Sequence, residues 1–158
     1  MNNEHDIETL NSLIETTLDS ADGYAEAAKD AQSGTLNSLF RARSGERRTA
    51  ASMLQQCVRL LGGKPGDGLA VDGASPRMFA DLRARVSSAD STGVVDSVER
   101  GEAHIRIALE DAMNDRKLSP HTMTVIEDVY TSMRYGHVRT RLIKQALHAA
   151  GGQSTNRH

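Results

Sequence analysis

Three side chains in this sequence could meet and act together: Glu46, Glu102 and His137. Each stands among apolar residues at helical spacing, and two carboxylates with one imidazole make a three-ligand set for a transition metal such as iron. Arg43 and Arg47 share the helical arc of Glu46, and Arg134 stands three residues before His137. Arginine presents a fixed fork of donors to a carboxylate, and its charge opposes a cation. The same residues therefore allow a second arrangement, a buried Glu/Arg/His polar network that joins helices without metal. The arginine charges favour this network and no cofactor. Iron or another divalent transition metal on Glu46, Glu102 and His137 is the alternative.

Other chemistry lacks its residues. There is no P-loop, no GxGxxG after a strand, no HExxH and no CxxC, and no catalytic set takes their place. Cys57 falls on a core face without a basic neighbour, which suits packing better than nucleophilic attack. His5, His104, His121, His148 and His158 carry no ligand spacing. The expectation is a protein that is not an enzyme.

The elements that must position these side chains read as helices. Ile7, Leu10, Ile14, Thr17, Ala21, Tyr24 and Ala28 recur at steps of three and four, predicting a first helix over about 6–31, with Gly34 ending it. A second helix follows over about 35–61, with Leu36, Leu39, Phe40, Ala50, Met53, Leu54, Cys57 and Leu61 inward, and Gly62-Gly63 then Pro65 stop it. Residues 62–91 are Gly-rich at first, and a short helix is expected from Pro76, capped by Ser75, to about Val86. A third long helix spans about 92–113. A fourth opens at Ser119-Pro120 and runs through Met123, Ile126, Val129, Met133 and Ile143 to Leu147. Gly151-Gly152 should close it, leaving residues 1–150 as one domain and 151–158 as a disordered tail. Aromatic residues are 3% of the chain and Trp is absent, so Ala, Leu and Met fill a core suited to close helix packing.

Loop lengths then select a layout. Two short turns and one connection of about thirty residues join two helical hairpins through a crossover, as in ferritin-like bundles. The expected fold class is all-α: a ferritin-like four-helix bundle with one long B–C crossover that contains a short extra helix.

The segments LNSLIETTLDSADGYAEAA, LFRARSGERRTAASMLQQCVRLLGG and ERGE at 99–102 resemble a bacterial family of ferritin-like four-helix-bundle proteins, domain of unknown function 2383. The resemblance implies the fold and no established activity. It weakens in the crossover, where Pro76-Arg77-Met78-Phe79 replaces a His-Arg-x-Trp-like segment.

Ferritin-like di-iron proteins take one Glu from each of two helices and Glu-x-x-His from each of the other two. Here Thr17 occupies the inward position on the first helix, Thr49 stands three residues after Glu46, and Arg134 stands where a Glu should precede His137. Glu8, Glu15, Asp19, Asp22 and Glu26 form their own stripe, which reads as a solvated acidic face. A di-iron set is therefore incomplete.

Net charge is −2, so no overall field recruits nucleic acid or an anionic membrane, and no apolar run is long enough to span a bilayer. The polar, acidic start is the wrong chemistry for a targeting peptide, and a lone cysteine needs no oxidising compartment, which together suggest the cytoplasm. Charge is unevenly placed. Residues 1–32 carry eight acids against Lys29, and residues 33–64 carry Arg41, Arg43, Arg47, Arg48, Arg59 and Lys64 against Glu46. Attraction between the first two helices, or between copies of the chain, follows. The expected role is a non-enzymatic interaction protein, oligomerising with itself (as a dimer, for example) and stress-associated.

Overall fold

The structure is a computed structural model that describes residues 3–67, 80–88, 91–135 and 137–155, with side chains at all of these except 80, 81, 83, 87, 91, 134, 135, 137–139 and 150–155. Among the described residues there are six helices and no strand: α1 (Glu4–Asp30), α2 (Gly34–Leu60), α3 (Ala80–Ser87), α4 (Ser91–Met113), α5 (Pro120–Tyr135) and α6 (His137–Thr155). No helix among them is long and apolar enough to cross a membrane.

Local signals explain most boundaries. Ser33 caps α2 by accepting the Leu36 amide at 3.0 Å, satisfying a donor that the first helical turn leaves open. Gly34 is therefore the first residue of α2, where it was expected to end α1. The other end of α2 closes at Gly62, whose φ of 85° lies in the left-handed region. The Gly62 amide donates to Arg59 O at 3.0 Å and the Gly63 amide to Val58 O at 3.0 Å, the paired closure of a Schellman motif. Gly63 also lies close to α1: a Cβ there would sit 2.8 Å from Ile7 Cδ1 and would push that side chain aside.

The expected fourth helix is described in two stretches, α5 and α6, on either side of residue 136, which lies outside the described residues. The expectation that changes is its end: α6 runs through Gly151-Gly152 to Thr155. Glycine costs a helix interior roughly 1 kcal/mol relative to alanine, a penalty that weakens a helix without forcing its end. The expected crossover-helix start at Ser75-Pro76 lies outside the described residues, and what is described of that helix is α3.

The short link 31–33 makes α1 and α2 an antiparallel hairpin. Asn37 Nδ2 donates to Ala28 O at 2.6 Å near the turn, Ser44 Oγ to Ala21 O at 2.8 Å midway, and Asn3 Nδ2 to Leu61 O at 3.2 Å at the far end. Asn11 then holds the departing chain, accepting from the Gly66 amide at 2.8 Å and donating to Lys64 O at 3.2 Å. α3 packs on α1 and α4. The end that gathers the start of α1 and the finish of α2 also gathers the finish of α4 and the start of α5. His5 meets Asp115 there at 2.6 Å, and Cys57 Sγ lies 3.9 Å from Thr122 Oγ1. α2 and α4 therefore point the same way, and α1 and α5 oppose them.

The core is built from Leu10, Ile14, Phe40, Leu54, Val98, Ile105, Leu109, Ile126 and Ile143, with alanines where helices approach closely. Tyr24 and Phe40 are its buried aromatic pair, with ring centroids 5.9 Å apart. Met53 departs from expectation and is 37% exposed. At about 100° per residue, the buried arc of α2 centres on Arg43, Arg47 and Leu54, and Met53 falls beyond its edge.

Candidate functional site: a buried arginine–glutamate–tyrosine centre

Arg43 and Arg47 lie one turn apart on α2, so both side chains leave the same face. Each is only 2% exposed. Burial of guanidinium requires a counter-charge, and Glu102 of α4 supplies it. Arg47 Nη2 donates to Glu102 Oε2 in a charged hydrogen bond, and Arg43 Nε stands 3.8 Å from Glu102 Oε1. The Tyr24 hydroxyl, from α1, donates to the same Oε1 at 2.6 Å. Three helices thus converge on one carboxylate. Arg47 Nε is buried there, and Ser20 Oγ is buried on α1, each without a hydrogen-bond partner among the described residues.

The protonation states follow from these neighbours. Burial alone would raise the Glu102 pKa, but the Arg47 and Arg43 charges, with the hydrogen bonds from Tyr24 and Arg47, outweigh it and hold it below the usual carboxylate range. Tyr24 moves the other way: burial, then the negative charge of Glu102, raise its pKa well above that of free tyrosine, against the pull of Arg43 and Arg47. Glu102 is therefore an anion and Tyr24 a neutral donor around neutral pH. Neither is poised to exchange a proton near pH 7, so the centre suits cohesion better than acid–base catalysis.

The sequence-predicted residues divide. Arg43, Arg47 and Glu102 come together as described. Glu46 does not join the buried core of the centre: its side chain is 40% exposed, and it meets Arg43 Nη1 at 3.4 Å from the rim. The reason is the same rotation of α2 that exposes Met53, since Glu46 lies at the edge of the buried arc beside it. The side chains of Arg134 and His137 lie outside the described residues. Among the described residues, no group of three His, Cys, Asp or Glu side chains could hold a metal ion.

The acidic stripe of α1 is only partly solvated. Glu8 and Asp22 are exposed, whereas Glu15, Asp19 and Glu26 are half-buried. Arg48 Nη2 to Asp22 Oδ1 at 2.8 Å is a direct instance of the expected attraction between α1 and α2 at the surface.

Two polar groups of consequence are not evident from the sequence pattern. Tyr24 belongs to the apolar stripe, as its spacing predicts, yet its hydroxyl is what ties α1 to Glu102. Asp6 reads as a helix-start residue and is 5% exposed, facing the start of α5. It accepts from Ser119 Oγ at 2.6 Å, from Thr122 Oγ1 at 2.8 Å and from the Ser119 amide at 3.3 Å. Burial raises its pKa, and these hydrogen bonds, with the nearby His5, bring the net value below that of a free aspartate. A carboxylate at a helix N-terminus also answers the positive end of the helix dipole. The signal is present in the chain: Asp6 is four residues before Leu10 on the inward arc, and Ser119-Pro120 marks the helix start it caps.

The chain belongs to the family described as Domain of unknown function (DUF2383), which it matches over residues 5–115. That span contains Asp6, Tyr24, Arg43, Arg47 and Glu102, and thus every residue of the centre on α1, α2 and α4. No curated protein matches the chain.

Proposed function

We propose that this DUF2383 member is a non-enzymatic helical interaction module with the ferritin-like four-helix layout, in which a polar network stands where relatives of that layout hold metal. The observation that carries the reading is the capture of Glu102 by Arg47, Arg43 and Tyr24. Two guanidinium groups already stand at this carboxylate, and their charge opposes a divalent cation. The parallel course of α2 and α4, with α3 in the long connection between them, supports the ferritin-like layout. On this reading the network fixes the relative rotation of α1, α2 and α4, and the outer faces make contact with a second copy. Met53 and Leu60, a heptad apart on α2 and 37% and 69% exposed, are the apolar side chains that such a contact would cover.

The test is metal analysis of protein purified without chelator, with melting temperatures recorded in added Fe²⁺, Mn²⁺ and Zn²⁺. Metal-free protein with an unchanged melting temperature is expected. A melting temperature that climbs with one of these ions in wild type, and climbs much less in His137→Ala, would instead assign a metal to Glu46, Glu102 and His137. Light scattering on the same preparation reads the oligomeric state, for which a dimer is the simplest expectation.

A further inference from the structure

α4, α5 and α6 leave between them a cleft of about 330 Å³. Ligand pockets span about 300–1,000 Å³, so this one suits a molecule the size of a single ring with small substituents. Ile105 and Leu109 give it apolar surface from α4, and Tyr130 and Met133 wall it from α5. Glu102 also lines it, with 22% of its side chain exposed. The buried centre therefore reaches solvent through this cleft.

Among the described residues, the charges around the cleft stand with partners of opposite sign. Lys144 Nζ lies 2.6 Å from Glu99 Oε1, Arg106 Nε lies 3.2 Å from Glu110 Oε1, and Glu102 is matched by Arg47 and Arg43. An anionic ligand would have to displace Glu99 or Glu110 from its partner. A cationic ligand would meet the two arginines standing behind Glu102. Hydrogen-bonding capacity is what remains unused. A carboxylate offers about four acceptor sites, and Tyr24 and Arg47 take two of those on Glu102. The hydroxyls of Tyr130 and Thr140, both lining the cleft, have no hydrogen-bond partner among the described residues.

We propose that this cleft binds a small neutral aromatic alcohol of the phenol class, with its ring against Met133 and Tyr130 and its hydroxyl hydrogen donated to Glu102. Thioether–aromatic and ring–ring contacts favour an aromatic body over an aliphatic one of equal size. Tyr24 already makes the same bond from the core side, a neutral phenol donating to Glu102 at 2.6 Å. The ligand repeats that chemistry from the solvent side. The proposal goes beyond the cohesive role of the centre and shares only Glu102 with it.

The experiment titrates the full chain, carrying ¹³C-labelled methionine methyls, with 4-methylphenol, toluene and 4-methylbenzoate in turn. Met133→Leu assigns the Met133 resonance. The expected result is a saturable shift of that resonance with 4-methylphenol, and binding about tenfold weaker for toluene, which lacks the donor to a charged acceptor. Ala103→Phe, which fills the cleft from α4, should abolish the shift while leaving the helical circular dichroism intact. Thr140→Leu narrows the cleft from α6 and repeats the block if Ala103→Phe lowers the melting temperature. Absence of a saturable shift overturns the proposal. So does equal affinity for toluene, tighter binding of 4-methylbenzoate, or undiminished binding by both filled variants.

Discussion

Tyr24 on α1 donates its hydroxyl hydrogen to Glu102 on α4 at 2.6 Å, across 78 positions of sequence. The bond joins a fully buried ring to a carboxylate that two arginines of α2 also hold. One acceptor thereby fixes three helices against one another, and its loss should be felt by all three.

Removing the donor and removing the acceptor should differ in cost. Tyr24→Phe should destabilise by about 1.5–3 kcal/mol, the range for a hydrogen bond to a charged group. Glu102→Ala takes the counter-charge from buried Arg47, leaving Arg43 with Glu46 at the rim, and should cost about 3–5 kcal/mol. Glu46→Ala, by contrast, removes a half-solvated partner and should cost about 1 kcal/mol or less. Urea denaturation of the three variants and of the Tyr24→Phe/Glu102→Ala double variant measures each. A coupling below about 0.5 kcal/mol between Tyr24 and Glu102 would show that the tyrosine acts by packing alone.

Asp6 predicts an acid-dependent stability. Its folded pKa lies below its unfolded value, so its contribution is fully present above the ordinary aspartate range near about 4 and is lost as pH falls through the folded value. Glu102 titrates in the same sense. Asp6→Asn should lower stability at pH 7 and flatten the loss of stability below about pH 4. Denaturation curves for both proteins between neutral and acid pH decide the matter, and parallel pH profiles would remove Asp6 from the account.

Two glycines of α2 and its closing turn should respond in opposite directions to alanine. Gly45 is exposed inside the helix, and a methyl group there would meet nothing within 4 Å, so Gly45→Ala should stabilise by about 0.5–1 kcal/mol. Gly62 holds a φ of 85°, and Gly62→Ala should destabilise by about 1–2 kcal/mol. Thermal melts of the pair give the sign directly.

Cys57 should be inert in the folded protein. It is 1% exposed, and burial, followed by the negative charge of Asp6, raises its thiol pKa against the lowering effect of Thr122. Alkylation should therefore follow the unfolded fraction as urea is raised. Rapid labelling in the absence of urea would mean that this end of the helices opens on its own.

Much of the fold is legible in the sequence because the signals are local. The first helix is expected over 6–31 and spans Glu4–Asp30; the second is expected over 35–61 and spans Gly34–Leu60; the third is expected over 92–113 and spans Ser91–Met113. Apolar recurrence, a Ser cap and a left-handed Gly act within one or two turns, so the chain states them without reference to distant residues. The acidic face of α1 is harder to read, since Glu15 and Asp19 are half-buried although their spacing sets them apart from the apolar stripe.

What the sequence by itself determined is the helical class, the antiparallel α1–α2 hairpin, and the presence of Arg43 and Arg47 on one inward face of α2. What only the tertiary structure decided is that Glu102 enters the buried centre with both arginines while Glu46 meets Arg43 from the rim. Glu46 and Glu102 both stand near apolar neighbours, and a rotation of a few tens of degrees about a helix axis exchanges a buried edge for a solvated one. That rotation is set by the packing of all the helices at once, through contacts such as Tyr24 with Glu102 and Asp6 with Thr122, 78 and 116 positions apart. No local pattern encodes such pairs, because each depends on where an independently formed helix comes to rest against its neighbours.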